Sequence, residues 1–588
     1  MTSTPLYPLC NIILPSEAGY ENLFIREIDN KLYFNTWMNM LAAKKYGYYC
    51  ELGNIYLQLN IEGKYRLEII GSNRDENQTV TDAVLVSKEV EGDICERVPM
   101  AKEYEGIYFC IIQDPEAPVL LKGGMWCTDV AAPRQNKIAI VSCTYKREEY
   151  IKKNIELFES FIKNTPSVRG RLKFNIVDNG QTLPDSIKSD NVDLFYNMNS
   201  GGAGGFTRGL IEVMKKQEGF THVLFMDDDV EIITESFYRT LVLSDYLKDE
   251  YKSSFIGGAM LFYERRNIMH ETLGVHDGFF VRSITPELNL CDYKEVLLAN
   301  HFCADRFKRE APRYSQGWWY CAFPVEMAEK KGLPLPFFLR ADDVEWSWRA
   351  KQDETHMINM NGIFVWHADF RWKVSKVTDF YYLQRNCFFI NCLYNENFKN
   401  EFSRHFRCTK KYLLETYDYA SLALFKKALE DILRGSDALK ENPLILCKTL
   451  SELAQGDIWE TCTSTDDLKK AAVNRPRVMK WRKIVFNLTS KGLYSPKFLL
   501  RKQNSTLGWY PDPLIFRMVR SVKLYNPESN TVCVRQHNGK KLRVYNRQIN
   551  NLIQQISQKF DVLCQNCHRD FAELTSLDFW KKYLHLTE

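Results

Sequence analysis

Three short apolar runs between residues 137 and 226 constrain this chain more than any other feature. Lys137 to Thr144, Phe174 to Val177 and Thr221 to Met226 each have the length and texture of a strand buried on both faces. Between the first two, Ile151, Ile155, Phe158 and Ile162 recur at helical spacing, and Phe206, Leu210 and Val213 mark a second helix. Strands alternating with helices predict an α/β layered sheet. Ligands of such sheets bind outside the carboxyl ends of the strands. Two of the three runs stop at acids there, one at Asp178-Asn179-Gly180 and one at Asp227-Asp228-Asp229.

Adjacent carboxylates repel, so folding alone gives no reason for the triple aspartate. Two carboxylates facing one point would bind a hard divalent cation. Side chains alternate in an extended segment, so Asp227 and Asp229 share a side and Asp228 points elsewhere. A cation there could grip a diphosphate and stabilise its charge as it leaves. The competing reading, a solvated acidic turn, is weakened by the apolar strand that precedes it. Val365-Trp366-His367 ends another apolar run. The chain has only 10 His, and a neutral imidazole at a strand end could add a third ligand. Mixed Asp and His ligation suits Mn²⁺ somewhat better than Mg²⁺.

Three further motifs invite chemistry. Asn199-Ser200-Gly201-Gly202-Ala203-Gly204-Gly205 precedes a helix expected near Phe206, and glycines ahead of a helix let backbone N–H groups approach an anion. It is neither a Walker A loop nor a dinucleotide fingerprint. Asp342 and Glu345 have the spacing of a capping pair, which would leave Asp343, about 100° away around the helix, to act as a general base. Trp318-Trp319 could stack on a sugar or simply fill core, since both indole N–H groups need partners if buried.

The order of these motifs resembles the family 2 inverting glycosyltransferases of GT-A fold. More narrowly, it is similar to the polymerising galactofuranosyltransferases of cell-wall galactan synthesis. The motifs are Cys143-Thr144-Tyr145-Lys146-Arg147, Asp178-Asn179-Gly180, the glycine loop, Asp227 to Asp229, Trp318-Trp319, Asp342-Asp343 and Trp366-His367. The resemblance covers roughly residues 80–395 and fades after Tyr381-Tyr382-Leu383-Gln384-Arg385-Asn386. It implies an N-terminal β-sandwich, a GT-A domain with a Rossmann-like mixed sheet, and a mainly helical C-terminal region. It further implies Mn²⁺ or Mg²⁺ on Asp227, Asp229 and His367, with Asp343 as the base. Arg147, Asp178, Asn179, Gly204, Gly205, Asp228, Trp318 and Trp319 would meet the nucleotide sugar, and Asp342, Trp319 and Trp366 the acceptor. The donor would be UDP-galactofuranose and the acceptor a glycan or lipid-linked glycan. One departure is Asp342-Asp343-Val344-Glu345, where the family has Asp-Asp-Ala-Asp. Another GT-A donor (UDP-galactose, UDP-glucose or dTDP-rhamnose) would leave the same metal and base logic. A non-catalytic carbohydrate-binding protein would be expected to lack the acids.

The flanks complete the expected layout. Residues 1–132 carry short β-rich segments separated by turns, as in a sandwich. Residues 133–376 form the α/β domain, and residues 377–588 read as mainly helical, with helices over Phe380 to Tyr394 and Lys411 to Leu433. A hairpin is expected over Val532 to Tyr545, turning at Asn538-Gly539. A net charge of +4 gives no footprint for nucleic acid. An odd 17 Cys, scattered along the chain, suit a reducing cytoplasm. Met1 to Pro15 lacks the pattern of a signal peptide, and no run has the 18–20 apolar residues, roughly, of a membrane span. A lipid-linked acceptor would therefore be met from the inner membrane surface. The basic, aromatic-bearing stretch 466–502 is either a surface for anionic headgroups or a solvated helix face. A homo-oligomer is compatible with all of this.

Overall fold

The computed structural model describes residues 5–15, 21–75, 79–216, 218–277, 279–285, 287–302, 314–351, 355–369, 375–395, 398–455, 459–461, 480–489, 493–495, 497–507, 510–526 and 530–586. The chain divides into two compact units. One comprises Met1–Asp277, Val281–Pro334 and Asp343–Asp369, and the other Gly278–Phe280, Leu335–Asp342 and Phe370–Glu588.

The first unit opens with two antiparallel sheets built from residues 7–128. Strand Ile55–Glu62 alternates buried and less buried positions, the period-2 signature of a strand with one face on a core. Phe109 of one sheet meets Trp126 of the other edge-on at 6.1 Å, both fully buried. These sheets share a core with the α/β part. Glu235 accepts from the backbone and side chain of Asn11, both at 2.7 Å, and Arg239 donates to the Asn11 carbonyl at 2.8 Å.

The α/β part is one ten-stranded mixed sheet. Its strands in chain order are β1 (Ile138–Thr144), β2 (Leu172–Asp178), β3 (Val192–Tyr196), β4 (His222–Asp227), β5 (Val230–Ile232), β6 (Phe255–Phe262), β7 (Ile268–Glu271), β8 (Leu288–Asn289), β9 (Cys321–Pro324) and β10 (Met357–His367). The spatial order is β3-β2-β1-β4-β9-β6-β7-β8, with β10 pairing β5 and β6. The first four are parallel, and β9 runs antiparallel to β4 and β6. Helices α1 (Glu148–Asn164), α2 (Gly201–Lys215) and α3 (Thr234–Tyr246) connect them, and α1 buries Ile151, Phe158 and Ile162, three of the four positions expected from its spacing. The sheet is α/β and mixed, as expected.

The second unit is mainly helical. Phe402 of helix Phe398–Glu415 stacks on Phe560 of the long helix Gly539–Leu574 at 5.1 Å. The expected 411–433 helix is broken. Tyr417 adopts φ 51°, and Asp418 caps a new helix by accepting from Ser421 N. The 532–545 hairpin does not form. Thr531–Gln536 is a strand, but Asn538 accepts from Lys541 N and starts the long helix instead. Asn-Gly suits a helix cap as well as a tight turn. Of the 466–502 stretch, residues 466–479, 490–492 and 496 lie outside the described residues, and Lys480–Leu488 is a helix. Among the described residues no helix is long and apolar enough to cross a membrane.

Candidate active site

Register decides which acids meet. β1 lies between β2 and β4 and pairs Thr144 with Asp178 and Cys143 with Asp227. Both acids therefore leave the sheet at one edge. From β1 the chain steps outward to β2 and β3, then returns to place β4 on the other side of β1. That reversal opens a crevice at the carboxyl ends of β1 and β4.

Asp227, Asp229 and His367 converge at this edge, each offering an atom within 4.8 Å of the others. The pairing of β5 with β10 sets Val230 opposite His367, which brings the imidazole beside the acidic turn. His367 Nε2 lies 3.4 Å from Asp229 Oδ1 and 3.7 Å from Asp227 Oδ2. Its Nδ1 donates to the Ala368 carbonyl at 2.6 Å. That bond fixes the tautomer and turns the Nε2 lone pair toward the carboxylates, the arrangement a metal-bound histidine needs. Two carboxylates and one imidazole suit Mn²⁺ or Mg²⁺. The Asp227 side chain is 32% exposed, against 9% for Asp229 and 1% for His367, so an incoming group would meet Asp227 first.

Asp228 is not one of the three converging groups but shares a cation with Asp229. Arg147, at the start of α1, donates to Asp228 Oδ1 at 3.0 Å and also pairs with Asp229. Burial pushes the Asp228 carboxyl up to about 6, opposed by Arg147 and reinforced by Asp229.

The Asp178 turn is occupied differently. The fully buried Asp178 carboxylate accepts from the backbone N–H groups of Gly180, Thr182 and Leu183 at 2.8, 2.7 and 2.8 Å. Asn179 donates to the Gly201 carbonyl at 3.0 Å and accepts from Asn197 at 2.8 Å. Asp178 thus holds its own turn together, and Asn179 ties that turn to the start of α2. The glycines also differ from expectation. They do not precede the helix but form its first turns from Gly201, which sits at φ 70°. A Cβ on Gly205 would lie 1.9 Å from Cys143 Sγ, so Gly205 is there for packing against β1. Gly204 is likewise buried within the helix.

The tryptophans expected to line a pocket are core residues in this structure. Trp318 is 4% exposed and packs edge-on against Phe206 and Phe225. Trp319 is 7% exposed and donates to the Gly258 carbonyl at 2.9 Å. Trp366 is buried against Phe364, and the Arg266 guanidinium covers its ring at 3.9 Å. Strand alternation turns His367 to the site and Trp366 away.

Helix α4 (Asp342–Lys351) carries the expected base. The Glu345 half of the expected capping pair is taken elsewhere, because the fully buried carboxylate is held by Arg349 at 3.0 and 2.5 Å. Asp343 Oδ1 accepts from Val344 N at 2.8 Å, which fixes its rotamer at the helix start. The approach to the helix is strained. Phe338, Arg340 and Ala341 have φ of 71°, 70° and 65°, a region costing about 1–3 kcal/mol for each non-glycine residue. One neighbour escaped the sequence reading. Burial and then the Asp343 charge push Glu271, at the end of β7, up to about 7. No local signal marks it, since only the fold brings β7 to α4.

No family model matches the chain. It is homologous to galactofuranosyltransferase GlfT2 of Mycolicibacterium smegmatis, 24% identical over 437 residues, covering 70% of this chain and 65% of the relative. GlfT2 of Mycobacterium tuberculosis is 27% identical over 247 residues, 41% of this chain and 38% of its own length. The chain thus spans less than two thirds of these relatives. Among solved structures, TarS 1–349 of S. aureus aligns over 58% of this chain and 94% of its own, at TM-score 0.30 and 15% identity. The mannosyltransferase PcManGT of Pyrobaculum calidifontis aligns over 55% and 83%, at TM-score 0.27 and 14% identity.

Proposed function

We propose that this chain is a metal-dependent inverting glycosyltransferase of GT-A type. It moves galactofuranose from UDP-galactofuranose to a hydroxyl of a glycan or lipid-linked glycan. The observation that carries the reading is the convergence of Asp227, Asp229 and His367 at the strand-order reversal. The homology to galactofuranosyltransferases supports the donor. Residues 1–132, 133–376 and 377–588 are its three functional parts.

Asp227, Asp229 and His367 would hold a Mn²⁺ or Mg²⁺ ion, whose chemistry is to offset the charge of the departing diphosphate. The rest falls to the chain. Arg147 adds a fixed positive charge to the same edge and is oriented by Asp228. The N-terminus of α2 opens on that edge and favours an anion. Asp343 takes the proton of the acceptor hydroxyl as that oxygen attacks C1 of the donor sugar. Attack from the face opposite UDP breaks the bond to the diphosphate and inverts the anomeric centre. The base must lie within hydrogen-bond reach of the hydroxyl. Asp178, Asn179, Gly204 and Gly205 act through the backbone they place, and Trp318, Trp319 and Trp366 through the walls they stiffen. Asp342 remains the acceptor-side acid of this scheme. Fifteen described cysteines, all free thiols, fit work in a reducing cytoplasm.

A donor screen tests the reading. Purified protein with Mn²⁺ and an acceptor is offered UDP-galactofuranose, UDP-galactose, UDP-glucose and dTDP-rhamnose, and nucleotide release is followed. Release with UDP-galactofuranose, abolished by EDTA, is expected. Turnover of only another donor overturns the sugar assignment, and turnover of none favours a binding protein.

A further inference from the structure

His367, the last residue of β10, faces Val230 of β5 across an antiparallel pair. The neighbouring pair on the same two strands is Glu231 with Trp366, whose side chains point to the opposite face. One side chain from a third segment ties that pair together. Arg266, in the loop between β6 and β7, lays its guanidinium over the Trp366 ring at 3.9 Å and pairs through the same group with the Glu231 carboxylate. Its own carbonyl accepts from Trp366 Nε1 at 3.0 Å, so the loop grips the indole twice. Phe364 meets the indole edge-on at 4.9 Å. Two contacts from α1 hold β5 in turn. Asn154 donates to the Val230 carbonyl at 3.2 Å, and Lys153 pairs with Glu231 at 3.5 Å. The Arg266 and Glu231 side chains are 11% and 19% exposed, so salt screens their pairing little.

This lock joins the two strands that carry the parts of the acidic cluster. β5 follows directly on Asp229, and β10 ends at His367, whose Nε2 lies 3.4 Å from Asp229 Oδ1. A cation shared by these groups needs that spacing held, and groups that orient a metal ligand from behind are worth about 10–100-fold in metal affinity. A lysine at 266 would keep a charge for Glu231 but lose the flat, forked guanidinium that stacks on an indole while pairing with a carboxylate. We propose that Arg266 is a positioning residue for the metal cluster, setting the separation of His367 from Asp229 by gripping Trp366 and Glu231 at once. This rests on the reading of Asp227, Asp229 and His367 as metal ligands. Arg266 touches neither cation nor nucleotide in this role.

The test is Arg266→Ala in the full chain. Mn²⁺ affinity in the presence of UDP is read by electron paramagnetic resonance, beside metal-free UDP affinity, kcat and Tm. Mn²⁺ affinity should fall by about 10–100-fold, with metal-free UDP affinity changed less than about twofold. Saturating Mn²⁺ should bring kcat back to within about threefold of wild type by mass action, because the ligands remain and only their spacing is loosened. Arg266→Lys should fall between wild type and Arg266→Ala, and it carries the test if Arg266→Ala does not fold. Mn²⁺ affinity indistinguishable from wild type in the folded variant overturns the proposal. So does a loss of Tm and kcat that saturating Mn²⁺ does not repair, which would make Arg266 a packing residue alone. Wild-type protein that binds no Mn²⁺ overturns both readings, whereas wild type and variant that bind it alike overturn only this one.

Discussion

Two acid-bearing turns leave the same sheet at the same edge, and they are used in opposite ways. After β2, the Asp178 carboxylate gathers three backbone N–H groups of its own turn. After β4, the carboxylates of Asp227, Asp228 and Asp229 gather charged or titratable side chains from elsewhere in the chain, Arg147 and His367. The first arrangement satisfies buried donors and makes a rigid corner. The second keeps like charges together with cationic or metal-ligating partners, which stabilises no turn by itself and suits an ion. An acid at a strand end is thus ambiguous until its partners are known.

Four predictions would break or sharpen this contrast. If the β4 turn handles charge, proton removal must lie elsewhere, and Asp343→Asn should lower transfer by about 10²–10⁴-fold with Mn²⁺-dependent UDP binding intact by calorimetry. Near-normal turnover would remove Asp343 from the mechanism. Asp229→Ala should abolish the metal dependence of UDP affinity and lower kcat by about 10²–10³-fold; an unchanged affinity isotherm would end the ligand assignment. Asp178→Ala should act on stability instead, at about 1–3 kcal/mol for each buried donor left unmet. Thermal unfolding would register it, while UDP affinity of the folded fraction stays near wild type. A selective loss of UDP binding without loss of Tm would make Asp178 a ligand-binding residue after all. Gly205→Ala should cost about 1–3 kcal/mol through overpacking, and Cys143→Ala should recover part of it. Wild-type stability with weakened UDP binding would instead mean that Gly205 faces the nucleotide.

The tryptophans carry a related lesson. Trp318-Trp319 and Trp366 stand where aromatic faces are useful to sugars, yet one packs against phenylalanines, one bonds to Gly258 and one lies under Arg266. Composition cannot separate these uses, because burial and stacking call for the same residue. The Glu345 half of the expected capping pair misled for a similar reason. Glu345 had the right spacing, but Arg349 one turn later offered its carboxylate a stronger, charged partner.

Local pattern alone determined much of this protein. The buried strands, the helix face of Ile151, Phe158 and Ile162, and acids at two strand ends all follow from side-chain periodicity, which acts within a few residues. Tertiary structure alone decided which of those residues meet. The antiparallel pairing of Val230 with His367 puts the imidazole beside Asp229. Arg266 ties Trp366 to Glu231 behind that pair, and the approach of β7 to α4 brings Glu271 within reach of the Asp343 charge. Each is a contact between segments far apart in the chain. Such contacts depend on register and packing across the whole sheet or helix core, and no local periodicity encodes them.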